Sequence, residues 1–437
     1  MTSKAEVEDF ISQRQNPVKY MRDLRKQLGA KEQNIKRLFL IILCFAISGC
    51  SNFSKVTPTG KVTSTSSPTA ISTITPTGTA AAPPRPTPAA SPPNTSIIGT
   101  PIPPPPIGKL YHGVYTGGGT GIGSDFTLND LRSYEEETGK SAVWVIFNHN
   151  WYEGREFPIE TAKWIREAGS IPYVRLMLRS SEEQNVEEPV FGLQAIIEGQ
   201  FDSDLHNWCI SARNFATPLL AEYGTEVNGE WVPWNGVWNG GGKTAGYGNP
   251  SKPDGPERFR DAYRHIIQTC SDEGADNITW VFHIDVSDVP NEEWNAFENY
   301  YPGDEWIDWI GISNYGPQTP QTDYWEEFRD GMNAVYPRLD ALTANKPIFI
   351  AEFGVTKNNP LGDQAEWASA ALTDLTSFRW PRIIGFSWWN EWWQNDDNPA
   401  HDTNMRLQDN PTLATVFREL VGDNPNVLGS LSSPDTP

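Results

Sequence analysis

Eight short runs rich in Val, Ile, Leu and aromatic residues recur along the C-terminal three quarters of this chain. They are KLYHGVYTG (109–117), SAVWVIFNHNW (141–151), SIPYVRLMLRS (170–180), TPLLAEYGTE (217–226), NITWVFHIDV (277–286), DWIGISNYG (308–316), KPIFIAEFG (346–354) and RIIGFSWWNE (382–391). Helix-like segments such as PIETAKWIREAG, PERFRDAYRHIIQTCSDEG and DQAEWASAALTDL separate them, two of these closed by a glycine. Strands that alternate with helices predict parallel pairing. Eight such units within residues 108–424 predict an α/β fold, a (β/α)8 TIM barrel with long loops on one face. A doubly wound open sheet is the competing arrangement.

A barrel of this kind carries its functional groups at the C-terminal ends of its strands. Polar and aromatic residues gather there: His149 and Asn150, Arg179, Glu226 and Asn228, His283 and Asp285, Tyr315, Glu352, Trp388 and Trp389. The opposite strand ends show no such concentration. The stretch TEVNGEWVPWNG (225–236) is the densest case, setting Glu226 and Asn228 among Trp231 and Trp234. A buried segment avoids unpaired polar groups, and a solvated loop has no need of two tryptophans. The mixture points to acid–base chemistry beside a stacking surface.

Glu226 closes the fourth run and Glu352 the seventh, which places them across the mouth of a barrel. Two carboxylates about 5–5.5 Å apart perform retaining glycoside hydrolysis, one as nucleophile and the other as acid and then base. The two roles need different pKa values, which burial and aromatic neighbours supply. Tryptophan suits such a site because its face stacks on the C–H face of a pyranose while its N–H stays free for a hydroxyl. Part of the tryptophan set is expected to pack under the loops instead, and Trp144, Trp164 and Trp280 read as core.

The motifs GTEVNGEWVPWNG, YYPGDEWIDWIGISNYG and PIFIAEFG together resemble glycoside hydrolase family 26, over about residues 110–420. The resemblance implies a retaining (β/α)8 enzyme, with β-1,4-mannan as the substrate of its best-known members and β-1,3-xylan and mixed-linkage β-glucan as related ones. It implies Glu226 as acid/base and Glu352 as nucleophile. It also implies Trp231 beside the cleaved bond, Tyr315 against the nucleophile, and Trp388 and Trp389 as sugar platform. His149, Asn228 and Trp234 join these as candidate substrate-binding residues. Thr225 departs from the pattern, since many family members carry histidine directly before the acid/base. A non-catalytic polysaccharide-binding protein is the alternative class, although such a protein would need the tryptophans and neither carboxylate.

Composition divides the chain sharply. All 18 tryptophans lie beyond residue 107, whereas residues 51–107 hold no Asp or Glu and only Lys55, Lys61 and Arg85 as charges. This Ser/Thr/Pro/Ala-rich stretch is expected to be a disordered spacer, because it cannot bury enough apolar surface to offset chain entropy. Ahead of it, Lys36 and Arg37 precede the apolar run Leu38–Ile47 and then Ile47-Ser48-Gly49-Cys50. This is the pattern of a bacterial lipoprotein signal peptide with Cys50 as the lipidated residue, and a start at Met21 would give it ordinary length. An ordinary secretory signal or short anchor is the other reading. Residues 1–50 are thus a leader and its N-terminal extension, and residues 425–437 a disordered tail.

Residues 108–437 carry 50 Asp and Glu against 22 Lys and Arg, a net charge near −28. That field argues against nucleic acid or an anionic membrane as partner, so any membrane contact is expected through the lipid anchor alone. A monomer on the cell surface is expected, with a polysaccharide as partner and no cofactor. Cys209 and Cys270 could pair outside the cytoplasm or remain buried thiols. TGGGTGIG (116–123) lacks the lysine of a phosphate loop and reads as a flexible first loop. NDDNPAHD (395–402) could hold calcium, but reads better as a solvated acidic loop. No Cys/His spacing suggests zinc, and no metal is expected.

Overall fold

The computed structural model describes residues 101–119 and 123–431. The leader, Cys50 and the spacer up to residue 100 lie outside the described residues. Eight parallel strands close on themselves: β1 Leu110–Thr116, β2 Trp144–Asn150, β3 Ile171–Met177, β4 Leu219–Tyr223, β5 Ile278–Asp285, β6 Trp309–Tyr315, β7 Ile348–Gly354 and β8 Ile383–Asn390. Closure is made by β1 pairing with β8 from Tyr111↔Gly385 to Thr116↔Asn390. Helices α1 Leu128–Thr138, α2 Ile159–Glu167, α3 Asp202–Phe215, α4 Asp254–Asp272, α5 Phe328–Leu342, α6 Gln364–Thr376 and α7 Pro411–Phe417 follow every strand except β5. After β5 the chain makes only 3₁₀ turns at Glu293–Asn295 and Phe297–Tyr300. The closed barrel, not the open sheet, is the fold.

Strand alternation sorts the side chains into two packed regions. Tyr111, Trp144, Tyr173, Leu220, Val281, Trp309 and Phe349 fill the barrel interior. Their neighbours, such as Val145, Val174, Ala221, Phe282 and Ile310, pack outward against the helices. The interior is tightest around Trp144, whose ring lies edge-on to Trp309 and Phe349 at 6.0 and 5.6 Å. Gly113 exists to admit that ring, since a Cβ there would lie 2.0 Å from the Trp144 indole nitrogen. Trp280 is buried in the outer region and Trp164 packs partly buried against it.

Two boundaries differ from the expectation. Residues 101–107 were assigned to the disordered spacer, yet Ile102 is buried among the interior residues and its N–H donates to Thr279 Oγ1 at 2.7 Å. An apolar side chain that plugs the barrel floor gains burial that the polar spacer before it lacks. The presumed tail also begins late, because β11 Val427–Leu428 pairs with β1 after the hairpin strands β9 Trp392–Trp393 and β10 Thr403–Asn404. Lys109 Nζ bonds Pro425 O and Asn426 Oδ1 and so fixes this last strand.

Cys209 and Cys270 form a disulfide between α3 and α4, across 61 residues of sequence. In the chain-entropy account a loop of that length contributes about 4 kcal/mol of stability. The bridge braces the two helices that flank β4, the strand leading to Glu226.

Candidate active site

At the C-terminal mouth, β4 ends at Tyr223 and the chain turns through Gly224 and Thr225 into Glu226. Glu226 has φ of 48°, in the left-handed region that non-glycine residues seldom occupy. Such backbone persists only where surroundings dictate it, and it clusters at functional sites. Here Trp234 Nε1 donates to Thr225 O at 2.7 Å, and Gly229 N donates to Glu226 O at 2.8 Å. The half-buried Glu226 carboxylate accepts from Trp231 Nε1 at 2.6 Å.

Glu352 reaches the interior through an irregularity in β7. The β6–β7 register runs Ile312↔Ile350 and then Ser313↔Glu352, so Ala351 and Glu352 together oppose one step of β6. Ala351 already faces inward, and strict alternation would turn Glu352 toward the helices. The bulge re-aims it into the mouth. Glu352 is 4% exposed. Tyr315 OH donates to its Oε2 at 2.7 Å, and Arg175 places a guanidinium nitrogen 2.8 Å from Oε1. Burial pushes the Glu352 carboxyl above the usual range, Arg175 pulls it back, and Glu226 adds to the rise. The two glutamates therefore feel each other's charge while standing in different surroundings, one half-buried on an indole and one buried on a cation.

Arg175 and Glu222 are the functional residues that sequence reasoning missed. Both lie inside apolar strands, in IPYVRLM and LLAEY. Arg175 Nε donates to Glu222 Oε1 at 3.0 Å, and its other end donates to Thr225 Oγ1. Burial works against the Arg175 charge, but Glu352 and Glu222 outweigh it and hold the guanidinium protonated. Glu222 also accepts from Tyr173 OH, and His283 Nδ1 lies 2.9 Å from its Oε2. The signal was present: one Arg and one Glu on adjacent strands, each in an apolar run, must be paired to be buried at all.

The other candidates divide. Trp389 faces the mouth, half-buried, stacked on Tyr115 at 3.6 Å with the Arg175 guanidinium 5.5 Å from its ring. Trp388, the next residue, faces the helices. It is fully buried against Phe353 and Phe417, and its Nε1 donates to Met405 O. The expected tryptophan platform is thus one tryptophan, because adjacent strand residues point to opposite sides. His149 likewise lies outside the mouth, stacked on Trp208 and accepting from its Nε1 at Nδ1. Trp234 is buried and serves the Glu226 turn. Asn228 is fully buried, its Nδ2 bonding Asp285 O, Ser287 O and Asp288 Oδ1, and so ties the loops after β4 and β5 together. These four assignments to the sugar are corrected by burial.

Asp285 ends β5 at the mouth, and burial followed by Glu226 pushes its carboxyl well above the ordinary range. Arg179 lies at the rim, forking onto Asn150 Oδ1. The loop at 395–402 satisfies itself: His401 Nδ1 meets Asp396 Oδ2 at 2.7 Å and Asn395 Nδ2 bonds His401 O.

Two opposed carboxylates, a cation and a tyrosine on one of them, and an indole on the other form a site for substitution at an acetal carbon. The family model of glycosyl hydrolase family 26 matches residues 194–351, a stretch that holds Glu226, Trp231 and Tyr315 and stops one residue before Glu352. Over those residues the chain is similar to glycosyl hydrolase family 26. Endoglucanase H of Acetivibrio thermocellus is 28% identical over 200 residues, which is 45% of this chain and 19% of that protein. A β-1,3-xylanase of a Vibrio species is 26% identical over 161 residues, 37% of this chain and 28% of that one. The chain thus matches less than a third of the length of these curated relatives. Solved structures similar to the chain include a Bacillus subtilis mannanase (17% identity, 75% of this chain and 92% of that one, TM-score 0.48) and a Bacteroides ovatus β-mannanase (15% identity, 73% and 90%, TM-score 0.49).

Proposed function

We propose that this barrel is a retaining, endo-acting glycosidase that cleaves β-linked polysaccharide through a covalent intermediate on Glu352. The observation that carries the reading is the state of Glu352: a buried carboxylate held by Tyr315 at Oε2 and ion-paired to Arg175 at Oε1. Glu352 attacks the anomeric carbon while Glu226 gives its proton to the departing glycosidic oxygen. Glu226, now a base, takes a proton from water, and the hydroxide oxygen displaces Glu352. Trp231 orients the Glu226 carboxylate throughout, and Trp389 offers a stacking surface to the sugar.

For the backbone of the polysaccharide, the motifs favour β-1,4-mannan. A second reading, a β-glucan, is favoured by the endoglucanase relative and by Thr225, which departs from the histidine that many family members carry. Incubation with β-1,4-mannan, mixed-linkage β-glucan and β-1,3-xylan, followed by a reducing-sugar assay, separates these. Release from mannan alone supports the first reading and release from glucan the second. Binding to any of them with no release from all three overturns the enzyme in favour of a polysaccharide-binding protein.

We also propose that the barrel is tethered to the cell surface by lipid on Cys50, with the Ser/Thr/Pro-rich segment as spacer. Support comes from Ile47-Ser48-Gly49-Cys50 at the end of the apolar run. Metabolic labelling with a fatty-acid probe should mark the protein and not Cys50→Ser, and equal labelling of both refutes the tether.

A further inference from the structure

Below the two glutamates runs a line of buried charge that the two-carboxylate reaction does not by itself require. It starts at Glu352, passes to Arg175 on β3 and Glu222 on β4, and continues to His283 on β5. His283 Nε2 then meets Ser313 Oγ on β6 at 2.9 Å, and Ser313 is the register partner of Glu352. Five adjacent strands thereby line up along it, from β7 back to β3. Its members are nearly sealed from solvent: Glu222 and His283 are 1% exposed, Ser313 0% and Arg175 6%.

Stability alone does not account for such a line, because apolar residues of similar volume fill a core at least as well as buried ion pairs. Geometry suggests what it does. A guanidinium left to itself binds a carboxylate with two parallel N–H bonds. Here Nε is committed to Glu222, and the nitrogen near Glu352 also bonds Thr225 Oγ1. Glu222 is in turn fixed by Tyr173 and His283, and Thr225 Oγ1 lies 3.0 Å from His283 Nδ1. Burial alone would discharge both members of the pair. Their mutual attraction prevails, so His283 is pushed up and Glu222 is held down to about 2. Arg175 and His283 then balance Glu222 and Glu352.

We propose that Glu222 is a positioning residue for the nucleophile. By holding Arg175 at Nε, it confines the guanidinium to a single ionic contact with Glu352, at Oε1, and so keeps the carboxylate turned for attack. Without Glu222, Arg175 turns both nitrogens of its fork onto Glu352 and rotates the carboxylate away from the attacking geometry. This rests on the reading of Glu352 as nucleophile.

Steady-state kinetics of Glu222→Gln, Arg175→Met and the double variant test it, on aryl β-cellobioside and aryl β-mannobioside, with Glu352→Ala as reference. Misplacement of a reacting group by about 1 Å costs about 10²-fold. Glu222→Gln is therefore expected to lower kcat about 10²-fold with KM within about threefold. In the double variant kcat should stay within about threefold of Arg175→Met, because the fork that Glu222 restrains is already gone. Single losses that multiply in the double variant overturn the proposal, as does a kcat for Glu222→Gln within threefold of wild type. Should Glu222→Gln not fold, Glu222→Gln/His283→Asn removes one charge of each sign and is held to the same fall in kcat. Glu352→Ala separates the two claims. If it keeps kcat within tenfold of wild type the nucleophile reading fails, whereas an inactive Glu352→Ala beside an unaffected Glu222→Gln sinks only the positioning role.

Discussion

Replacing Tyr315 by Phe removes one hydroxyl and nothing else from the mouth, and its effect on pH dependence can be worked out in advance. Tyr315 OH donates to Glu352 Oε2 at 2.7 Å, and that bond favours the ionised carboxylate. A hydrogen bond to a charged group contributes about 1.5–3 kcal/mol. One pKa unit corresponds to about 1.4 kcal/mol, so the Glu352 pKa should rise by about 1–2 units in Tyr315→Phe. It rises rather than falls because the lost donor had stabilised the anion. Burial already holds this carboxyl above the usual range, so the shift adds to a raised value. In the proposed mechanism Glu352 attacks only when ionised, so the acid limb of kcat/KM, which reports the free enzyme, should move to higher pH by the same amount. The assay is kcat/KM against pH on the polysaccharide that wild type cleaves. A uniform loss of activity with an unmoved acid limb refutes the reasoning, and would mean that Tyr315 touches the sugar rather than tuning the nucleophile.

Glu226→Ala should slow natural substrates about 10²–10⁴-fold and activated aryl glycosides far less, with partial rescue by azide; equal losses on both, without rescue, would move the acid to another carboxylate, Asp285 first. Trp388→Ala should cost about 3–5 kcal/mol in stability, as for any buried tryptophan, while Trp389→Ala should cost less, its ring being half-buried, and weaken sugar binding. The reverse pattern in calorimetry and kinetics would return Trp388 to the site. Burial lowers His112 to about 3 and His149 to about 4, so the unfolded chain takes up protons below pH 6.5 before the folded chain does. Their contribution to stability is complete above pH 6.5 and is lost as pH falls toward those values. His149→Gln should therefore flatten the fall of melting temperature between pH 6.5 and 4, and an unchanged slope contradicts it.

The barrel was legible because eight apolar runs and the helices between them repeat the same local pattern, and the strand ends carry the polar residues, Glu226, Glu352 and Tyr315 among them, that the fold gathers at the mouth. Direction within a strand was harder to read. Trp388 and Trp389 are adjacent and chemically alike, and only their parity in β8 separates core from mouth. His149 was one residue from the inward-facing position held by Asn148, by the same alternation. Glu352 shows the converse, since its inward aim depends on a register shift against β6 that no local composition encodes. Arg175 and Glu222 were hidden because each reads as an oddity in its own strand and gains meaning only beside the other. The spacer boundary was misread at Ile102, where a single apolar residue in a proline-rich run is recruited by the barrel floor.

The central claim is that Glu352 forms a covalent bond to the sugar. A 2-fluoro aryl glycoside slows breakdown of such an intermediate more than its formation, so it should accumulate on the enzyme. Peptide mass spectrometry after incubation with the 2-fluoro cellobioside and mannobioside should find the added sugar on the peptide containing IFIAEFG, at Glu352. Label on the peptide containing Glu226 or Asp285, or turnover with no label and an inverted anomer as first product, would contradict the account.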